Sequence, residues 1–532
     1  MLAGLARSHN VRDVFVRQGI YFVDADCYSR MTRVRVVVAK PGSVVRHHTF
    51  ENSPTGTTPH TTAPLDYLIS GLHLLLDLGF RVFDSDGSSV LRGQTLDLAG
   101  ALIAPLLGMM TCAFLGSWAR RRKLAPLDAT TRLPSWGTVP FFFAISPVLA
   151  HGTLLGRPDH QSLLILLLAV ALAAELALFE KSSRLWALTG GFAWGASLWV
   201  SLYEPLVLLG LVALLWLGFG RVSDWTRERR LGLLTMLCVG TAAFLIEGWR
   251  VTLPDPTLRD AFTRWSQTIG ELAHLDLRSG LLFRWLGWGI IALPFLVFLN
   301  RREDRRALPL GLLIVAALGL TIWQLRWGYF LALIFAMSLP WLLVGFRKPW
   351  LVWCLFVASL WPVFEDWDER LFPDADAQKQ SALQRHEGVL LRQVANQMRS
   401  SETQPFLAPW WLSPALAYWS GQPGVAGSSH QSLPGILDSA RFYLADDHLA
   451  AGTILRERKV HWVVADEASR VIHTSALLLG VDTPSARLAV TLSEHPKEAP
   501  PFLTLQSPVG RAARESPQFY RLYRVDSAKL QP

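Results

Sequence analysis

The sequence predicts an α-helical polytopic membrane protein with a small C-terminal α/β domain. Three observations lead there. The 532 residues are 51% hydrophobic and include 22 Trp, and the mean hydropathy is +0.27; soluble chains of this length are rarely so apolar. Apolar runs recur that approach the roughly 20 residues a helix needs to cross a bilayer. Beyond residue 363 these runs stop and short strand-like stretches appear between Pro and Gly.

Residues 1–95 hold no clear spanning segment. Arg7, Arg12 and Arg17 interrupt the start, which excludes a signal-peptide apolar core there. Leu68–Phe80 is apolar but short and reads as an interfacial or half-buried helix. The first clear span is Leu96–Trp118, closed by Arg120-Arg121-Arg122-Lys123. Further spans fall near 137–152, 161–179, 185–201, 205–219, 231–248, 280–299, 307–324, 328–345 and 349–363, about ten in all. In the C-terminal part, Ala377–Ser401 reads as a helix, and Val460–Ala465 and Phe519–Val525 read as strands.

Charge orients the spans. Loops 119–135, 180–184, 220–230, 300–306 and 346–348 are rich in Lys and Arg, and the alternate loops are poorer. The basic set is therefore cytoplasmic. Parity then places residues 1–95 and 364–532 on the far side. Nothing in residues 1–20 would carry the first loop across, so a span is expected upstream of the given start. The net charge of +9 reflects the cytoplasmic loops and does not indicate nucleic-acid binding. Cys112, Cys238 and Cys354 lie in apolar runs and only Cys27 lies outside, so no disulfide framework is expected.

Four polar sites fall on the far side. The first is Val23-Asp24-Ala25-Asp26-Cys27-Tyr28-Ser29-Arg30. Two acids so close need a neutralising cation, and a hard divalent ion bound through oxygens serves best. A solvated Asp-rich turn is the bland alternative. The second is Gly156-Arg157-Pro158-Asp159-His160-Gln161, where Asp159 could simply cap the next helix. The third is Thr268-Ile269-Gly270-Glu271, where Glu271 could be an exposed helix charge. The fourth is Arg326, which could merely snorkel among Trp323, Trp327 and Tyr329. Taken together they make one consistent site. Asp26, Asp159 and Glu271 can share a Mg or Mn ion, with His160 or Gln161 as a neutral neighbour, and Arg326 can hold a phosphate. Such a set can expel a phosphate leaving group.

These motifs resemble those of the GT-C membrane glycosyltransferases, and among them the catalytic subunit of oligosaccharyltransferase. In that family the first outer loop carries an Asp followed by an aromatic and an Arg, matched by Asp26-Cys27-Tyr28 with Arg30 or Arg33. The second outer loop carries an acidic motif, matched by Gly156–Gln161, with Gln161 where an acid or His is common. A later loop carries Thr-Ile-x-Glu, matched by Thr268–Glu271, and Arg326 matches an Arg that contacts lipid-linked phosphate. The family's Trp-Trp-Asp-Tyr-Gly motif reads Trp410-Trp411-Leu412-Ser413-Pro414 here. The resemblance covers most of the chain in order and topology, and the family usually has one span before its first acidic loop.

The resemblance implies a metal-assisted enzyme that moves a sugar or oligosaccharide from a polyprenyl-phosphate or diphosphate donor to an acceptor on the non-cytoplasmic face. A bacterial inner membrane, with the active site and C-terminal domain on the periplasmic side, is the expected setting. The intact Thr268–Glu271 motif favours a protein acceptor. The absence of an acid after Trp410-Trp411 favours a lipid or polysaccharide. A transporter of lipid-linked sugars would instead predict charges at mid-span and broken helices related by internal symmetry; Glu175 and Glu204 lie toward helix ends.

Overall fold

The computed structural model describes residues 1–59, 62–83, 90–121, 135–219, 226–249, 255–294, 307–342, 349–482, 487–506 and 520–530. The chain divides into two compact units. Met1–Val14, Thr61–Trp249 and Glu271–Ala377 form the first, and Phe15–His60, Arg250–Gly270 and Gln378–Pro532 form the second.

The first unit is helical. Among the described residues three helices are long and apolar enough to cross a membrane: Leu91–Arg121, His160–Glu180 and Arg227–Glu247. Tyr203–Phe219, Ala307–Trp323 and Leu325–Trp341 are shorter apolar helices. The run near 185–201 forms one helix, Arg184–Val200; three other apolar runs are broken for local reasons. The run near 137–152 splits at Ser146-Pro147 into helices Thr138–Ile145 and Pro147–His151, because Pro has no N–H to continue a helix and suits its first turn. The run near 280–299 begins as a short helix, Leu281–Leu286, that stops at Gly287 with φ +71. The run near 349–363 becomes two helices, Pro349–Ser359 and Trp361–Leu371. Leu68–Phe80 lies inside a longer helix than its apolar core implies, Ala63–Phe83. The basic stretches 122–134, 220–225, 301–306 and 343–348, which carry much of the sidedness expectation, lie outside the described residues.

Small residues set a close helix contact in this unit. Helices Arg184–Val200 and Arg227–Glu247 meet at Gly191 and Gly232. A Cβ at Gly191 would strike the Gly232 carbonyl oxygen, and one at Gly232 would lie 2.8 Å from the Ala187 carbonyl oxygen. Apolar helices in lipid gain little from hydrophobic burial against one another, so backbone approach through small residues supplies the contact.

The second unit is α/β. A hairpin pairs β1 (Phe15–Val16) with β2 (Gly19–Ile20). A four-stranded sheet runs in the order β3-β4-β6-β5, with β3 (Phe406–Leu407), β4 (Trp462–Ala465), β5 (Leu503–Leu505) and β6 (Arg521–Val525). β3 and β4 are parallel; β6 is antiparallel to both β4 and β5. All four residues of β4 are buried, which fits a central strand read as a continuous apolar run. Leu407, Phe442, Tyr443, Val463, Val471 and Tyr523 are buried in one core beneath this sheet. The helix expected over 377–401 spans Ala375–Gln397.

Gly191→Val should lower the thermal midpoint of the detergent-solubilised protein, at a cost of about 1–3 kcal/mol for an overpacked contact. An unchanged midpoint would mean that the two helices do not meet at this residue.

Candidate functional site

In the first unit the site grows from one short loop. After helix Pro147–His151 the chain turns through Gly152–Asp159 and starts helix His160–Glu180. The turn uses Gly156 at φ +74, a left-handed value that favours glycine. Neighbouring elements fix it: Leu155 N–H donates to Arg7 O at 2.8 Å, Gly156 N–H to Ala101 O at 3.0 Å, and Asn10 Nδ2 to Leu155 O at 2.9 Å. Asp159 is the N-cap of the following helix, and its Oδ1 accepts from the His160 backbone N–H and lies by His160 Nδ1, each at 2.6 Å. The cap reading of Asp159 is therefore real, and it also fixes where the carboxylate points.

Arg157 sits at the centre, 3% exposed. Its Nη2 donates to Glu271 Oε1 at 2.5 Å and to Gln161 Oε1 at 3.0 Å, and lies 3.8 Å from Asp159 Oδ2. Its Nη1 lies 2.8 Å from both ring nitrogens of His151. Glu271 also accepts from Gln161 Nε2 at 2.9 Å and from the Tyr329 hydroxyl at 3.2 Å. Both ends of the Gln161 amide are thus committed to the Arg157–Glu271 pair. The loop bearing Glu271 is tied to the turn bearing Arg326. Leu325 N–H donates to Ala273 O at 2.9 Å, Leu275 N–H to Ile322 O at 3.1 Å, and the His274 ring lies 2.7 Å from Trp323 O.

Arg326 lies in the turn Leu325–Trp327. Its Nη2 donates to Glu204, which is 1% exposed and also accepts from Ser201 Oγ at 2.7 Å. The guanidinium carbon lies 5.5 Å from the Tyr203 ring centroid. The first unit therefore gathers Asp159, Gln161 and Glu271 around Arg157, and pairs Arg326 with Glu204.

By donor chemistry, two carboxylates and an amide oxygen suit a hard divalent cation. In this structure the charge among them is neutralised by the Arg157 guanidinium instead. Among the described residues no group of three or more His, Cys, Asp or Glu side chains is gathered as a metal site.

In the second unit Asp24 caps helix Ala25–Ala39, its carboxylate accepting from Cys27 N–H at 3.0 Å. Asp26 is in the first turn of that helix and is exposed, where the helix dipole favours an acid. Tyr28 and Arg30 point inward and are 6% and 2% exposed. The Tyr28 hydroxyl accepts from Phe22 N–H at 3.0 Å, and its ring meets Trp419 at 4.9 Å. Burial holds the Tyr28 phenol well above its usual range. Thr268 donates its hydroxyl to Trp265 O at 2.7 Å, closing helix Arg259–Ser266. Trp410 packs edge-on against Trp265 at 6.1 Å.

The Trp pair is not without an acid. Asp466, at the end of β4, accepts from Trp411 Nε1 at 3.2 Å, and Arg470 lies over the Trp411 ring at 4.9 Å. β3 leads directly to the Trp pair and is parallel to β4, so the ends of both strands fall together. Burial raises the Asp466 carboxyl from 3.8 to about 6, against the opposing pull of the Glu467 backbone N–H, Arg470 and Trp411.

No protein-family model matches the chain, and no curated protein does. Solved structures match throughout its length. The oligosaccharyltransferase AglB from Archaeoglobus fulgidus, in complex with an inhibitory peptide and a dolichol-phosphate, is 14% identical with a TM-score of 0.61, over 91% of this chain and 71% of that one. ArnT from Cupriavidus metallidurans bound to undecaprenyl phosphate is 13% identical with a TM-score of 0.57, over 100% of this chain and 98% of that one. This chain has the GT-C fold of these enzymes. A further structure of the A. fulgidus enzyme, in complex with Zn and sulfate, matches with a TM-score of 0.60 at 14% identity, over 90% of this chain and 70% of that one.

His151, Tyr329, Glu204 and Asp466 carried no recognisable motif, and Arg157 lay inside a motif chosen for its acids. Two of them had a weaker signal: Glu204 is the one acid in its loop, and Asp466 directly follows an expected strand.

Asp466 is protonated more readily in the folded than in the unfolded chain, so it costs stability above its folded value. No cost exists below about pH 4; it grows between about pH 4 and pH 6 and reaches about 3 kcal/mol at neutral pH. Asp466→Asn, which keeps an acceptor for Trp411, should therefore raise the thermal midpoint at pH 8 and leave it unchanged at pH 4. Equal shifts at both pH values would contradict the burial of this carboxyl.

Proposed function

We propose that the protein is a multi-pass membrane glycosyltransferase that uses a polyprenyl-phosphate or polyprenyl-diphosphate sugar donor. The observation that carries this reading is the convergence of Asp159, Gln161, Glu271 and Arg157 in one hydrogen-bonded network, with Arg326 on the turn tied to the Glu271 loop, in a GT-C fold. Structures of that fold hold dolichol-phosphate and undecaprenyl phosphate, which supports a lipid-linked donor here.

In this reading Arg326 takes the donor phosphate. Its always-charged, forked guanidinium stabilises the charge that builds up as the sugar leaves. Glu271 and Asp159 face the acceptor and can receive its proton or orient it as it attacks the sugar carbon. Arg157, Gln161 and Tyr329 hold Glu271 at a fixed angle, which is worth much in a step that depends on positioning. Asp159 and Glu271 are proposed as oxygen ligands of a divalent cation, Mg or Mn, with His160 or Gln161 adjacent. Asp26 is proposed as a further ligand on the strength of the sequence resemblance. Bound there, the ion would supply Lewis-acid neutralisation of the leaving phosphate. The Zn held by a structural neighbour supports a metal in this fold.

The active site and residues 364–532 are assigned to the non-cytoplasmic face, in a bacterial inner membrane. For the acceptor, a protein is the first reading, supported by Thr268–Glu271 and by the peptide held in the AglB structure. A lipid or polysaccharide is the second. It is favoured by one observation: the Trp411 N–H is already taken by Asp466, and Leu412 stands where a free acid would follow the pair.

The test is transfer by purified protein in nanodiscs supplied with a polyprenyl-linked sugar. Asp26→Ala, Asp159→Ala and Glu271→Ala should each cut the rate by about 100-fold or more while the protein remains inserted. EDTA should stop the reaction and Mn or Mg restore it. Full activity in all three variants would overturn the assignment. Mass spectrometry of protein and lipid glycans from a strain lacking the gene then separates the two acceptor readings.

A further inference from the structure

Glu204 is a fully buried acid that the transfer reaction does not call for. It lies at the start of helix Tyr203–Phe219 and is 1% exposed. Two groups satisfy it: Ser201 Oγ donates to Oε2 at 2.7 Å, and Arg326 Nη2 donates to Oε1. The Nε of Arg326 is buried with no hydrogen-bond partner among the described residues. A guanidinium has five donors in a fixed fork. Here Nη2 is held by a carboxylate, and the Nε–H beside it on the same edge is left over among the described residues.

A buried charge without a counter-ion is costly, and a buried pair is tolerated only when its hydrogen bonds are well made. Glu204 solves that problem for Arg326 when no anion is bound. It also sets the guanidinium plane, since Ser201 fixes the carboxylate and the carboxylate fixes Nη2. The unpartnered Nε–H leaves the guanidinium with a donor that the carboxylate does not satisfy.

We propose that Glu204 is a positioning residue for anion capture. It acts as the resident counter-ion of Arg326, sets the plane of the guanidinium, and is partly displaced when the phosphate of the carrier arrives. The inference rests on the assignment of Arg326 to the donor phosphate and adds the residue that governs how tightly that phosphate is held. Binding is a competition: the phosphate must draw the guanidinium from a carboxylate already paired with it. The site therefore holds its ligand more weakly than an uncompensated Arg would, which suits a carrier that must leave after each turnover.

The sign of this effect separates it from a merely structural role. Glu204→Gln removes the competing charge and leaves Arg326 as an unpaired buried cation. The variant should have a lower thermal midpoint than wild type without ligand. It should bind polyprenyl phosphate in nanodiscs about tenfold more tightly, and ligand should raise its midpoint more than that of wild type. Ser201→Ala acts in the opposite direction. It takes a donor from Glu204, leaves the carboxylate more dependent on Arg326, and should weaken polyprenyl-phosphate binding without a large loss of stability.

The experiment measures binding and midpoints for wild type, both variants and Arg326→Gln, with polyprenyl phosphate and, in parallel, with inorganic phosphate. Tighter binding by Glu204→Gln and weaker binding by Ser201→Ala support the proposal. If wild type binds the lipid and Glu204→Gln binds it equally or less well, the counter-ion role is overturned and the donor assignment stands. Where Glu204→Gln does not fold, unchanged or tighter binding by Ser201→Ala is the overturning result. If wild type shows no response that Arg326→Gln abolishes, the donor assignment falls and this inference with it. An equal response to inorganic phosphate overturns the assignment to the lipid.

Discussion

A single guanidinium holds the candidate site of the helical unit together. Arg157 reaches the acid of a loop more than a hundred residues away along the chain, and it does so from a loop pinned by Arg7, Asn10 and Ala101. Glu271 and Asp159 would otherwise be two acids close together in a water-poor place, where like charges disfavour one another. Arg157 lies between them and holds both carboxylates in fixed directions. Gln161 and Tyr329 complete the arrangement by donating to the same carboxylate. The geometry thus depends on one ion pair, and the hydrogen bonds around it refine it.

Arg326, on the turn tied to the Glu271 loop, follows the same logic. Arg157 and Arg326 each have a carboxylate partner within the unit. Any phosphate or metal that enters must compete with those pairs. This explains how a strongly charged site can sit among apolar helices: the charges are paired at rest. Under the proposed function, binding and release would proceed by exchange of partners, with little movement of the backbone. The hydrogen bonds that join the 273–275 and 322–325 segments leave the two loops little freedom to part.

Much of the fold was legible in the sequence because apolar periodicity and turn residues mark helices and strands strongly. Helices His160–Glu180 and Ala375–Gln397 and strands β4 and β6 fall where pattern places them. Breaks inside apolar runs were less visible. Pro147 and Gly287 divide spans that average hydropathy merges. β3 was missed because it is two residues long and is defined by its neighbour β4. At the site, residue types with recognisable motifs were found and their counter-ions were not. Glu204 pairs with a residue in another helix hairpin, and Asp466 reaches Trp411 across the sheet; neither spacing can be read along a chain. The same reasoning found a missing acid after Trp410-Trp411, and the sheet supplies one from a different strand.

The candidate site depends on the Arg157–Glu271 pair, and a double-mutant cycle probes it most directly. Arg157→Gln, Glu271→Gln and the double variant would be compared by unfolding free energy in detergent. The account predicts that the two substitutions are strongly non-additive, with a coupling of about 1–3 kcal/mol, because removing either partner strands the other. Additivity within about 0.5 kcal/mol would show that the two side chains do not act as a pair.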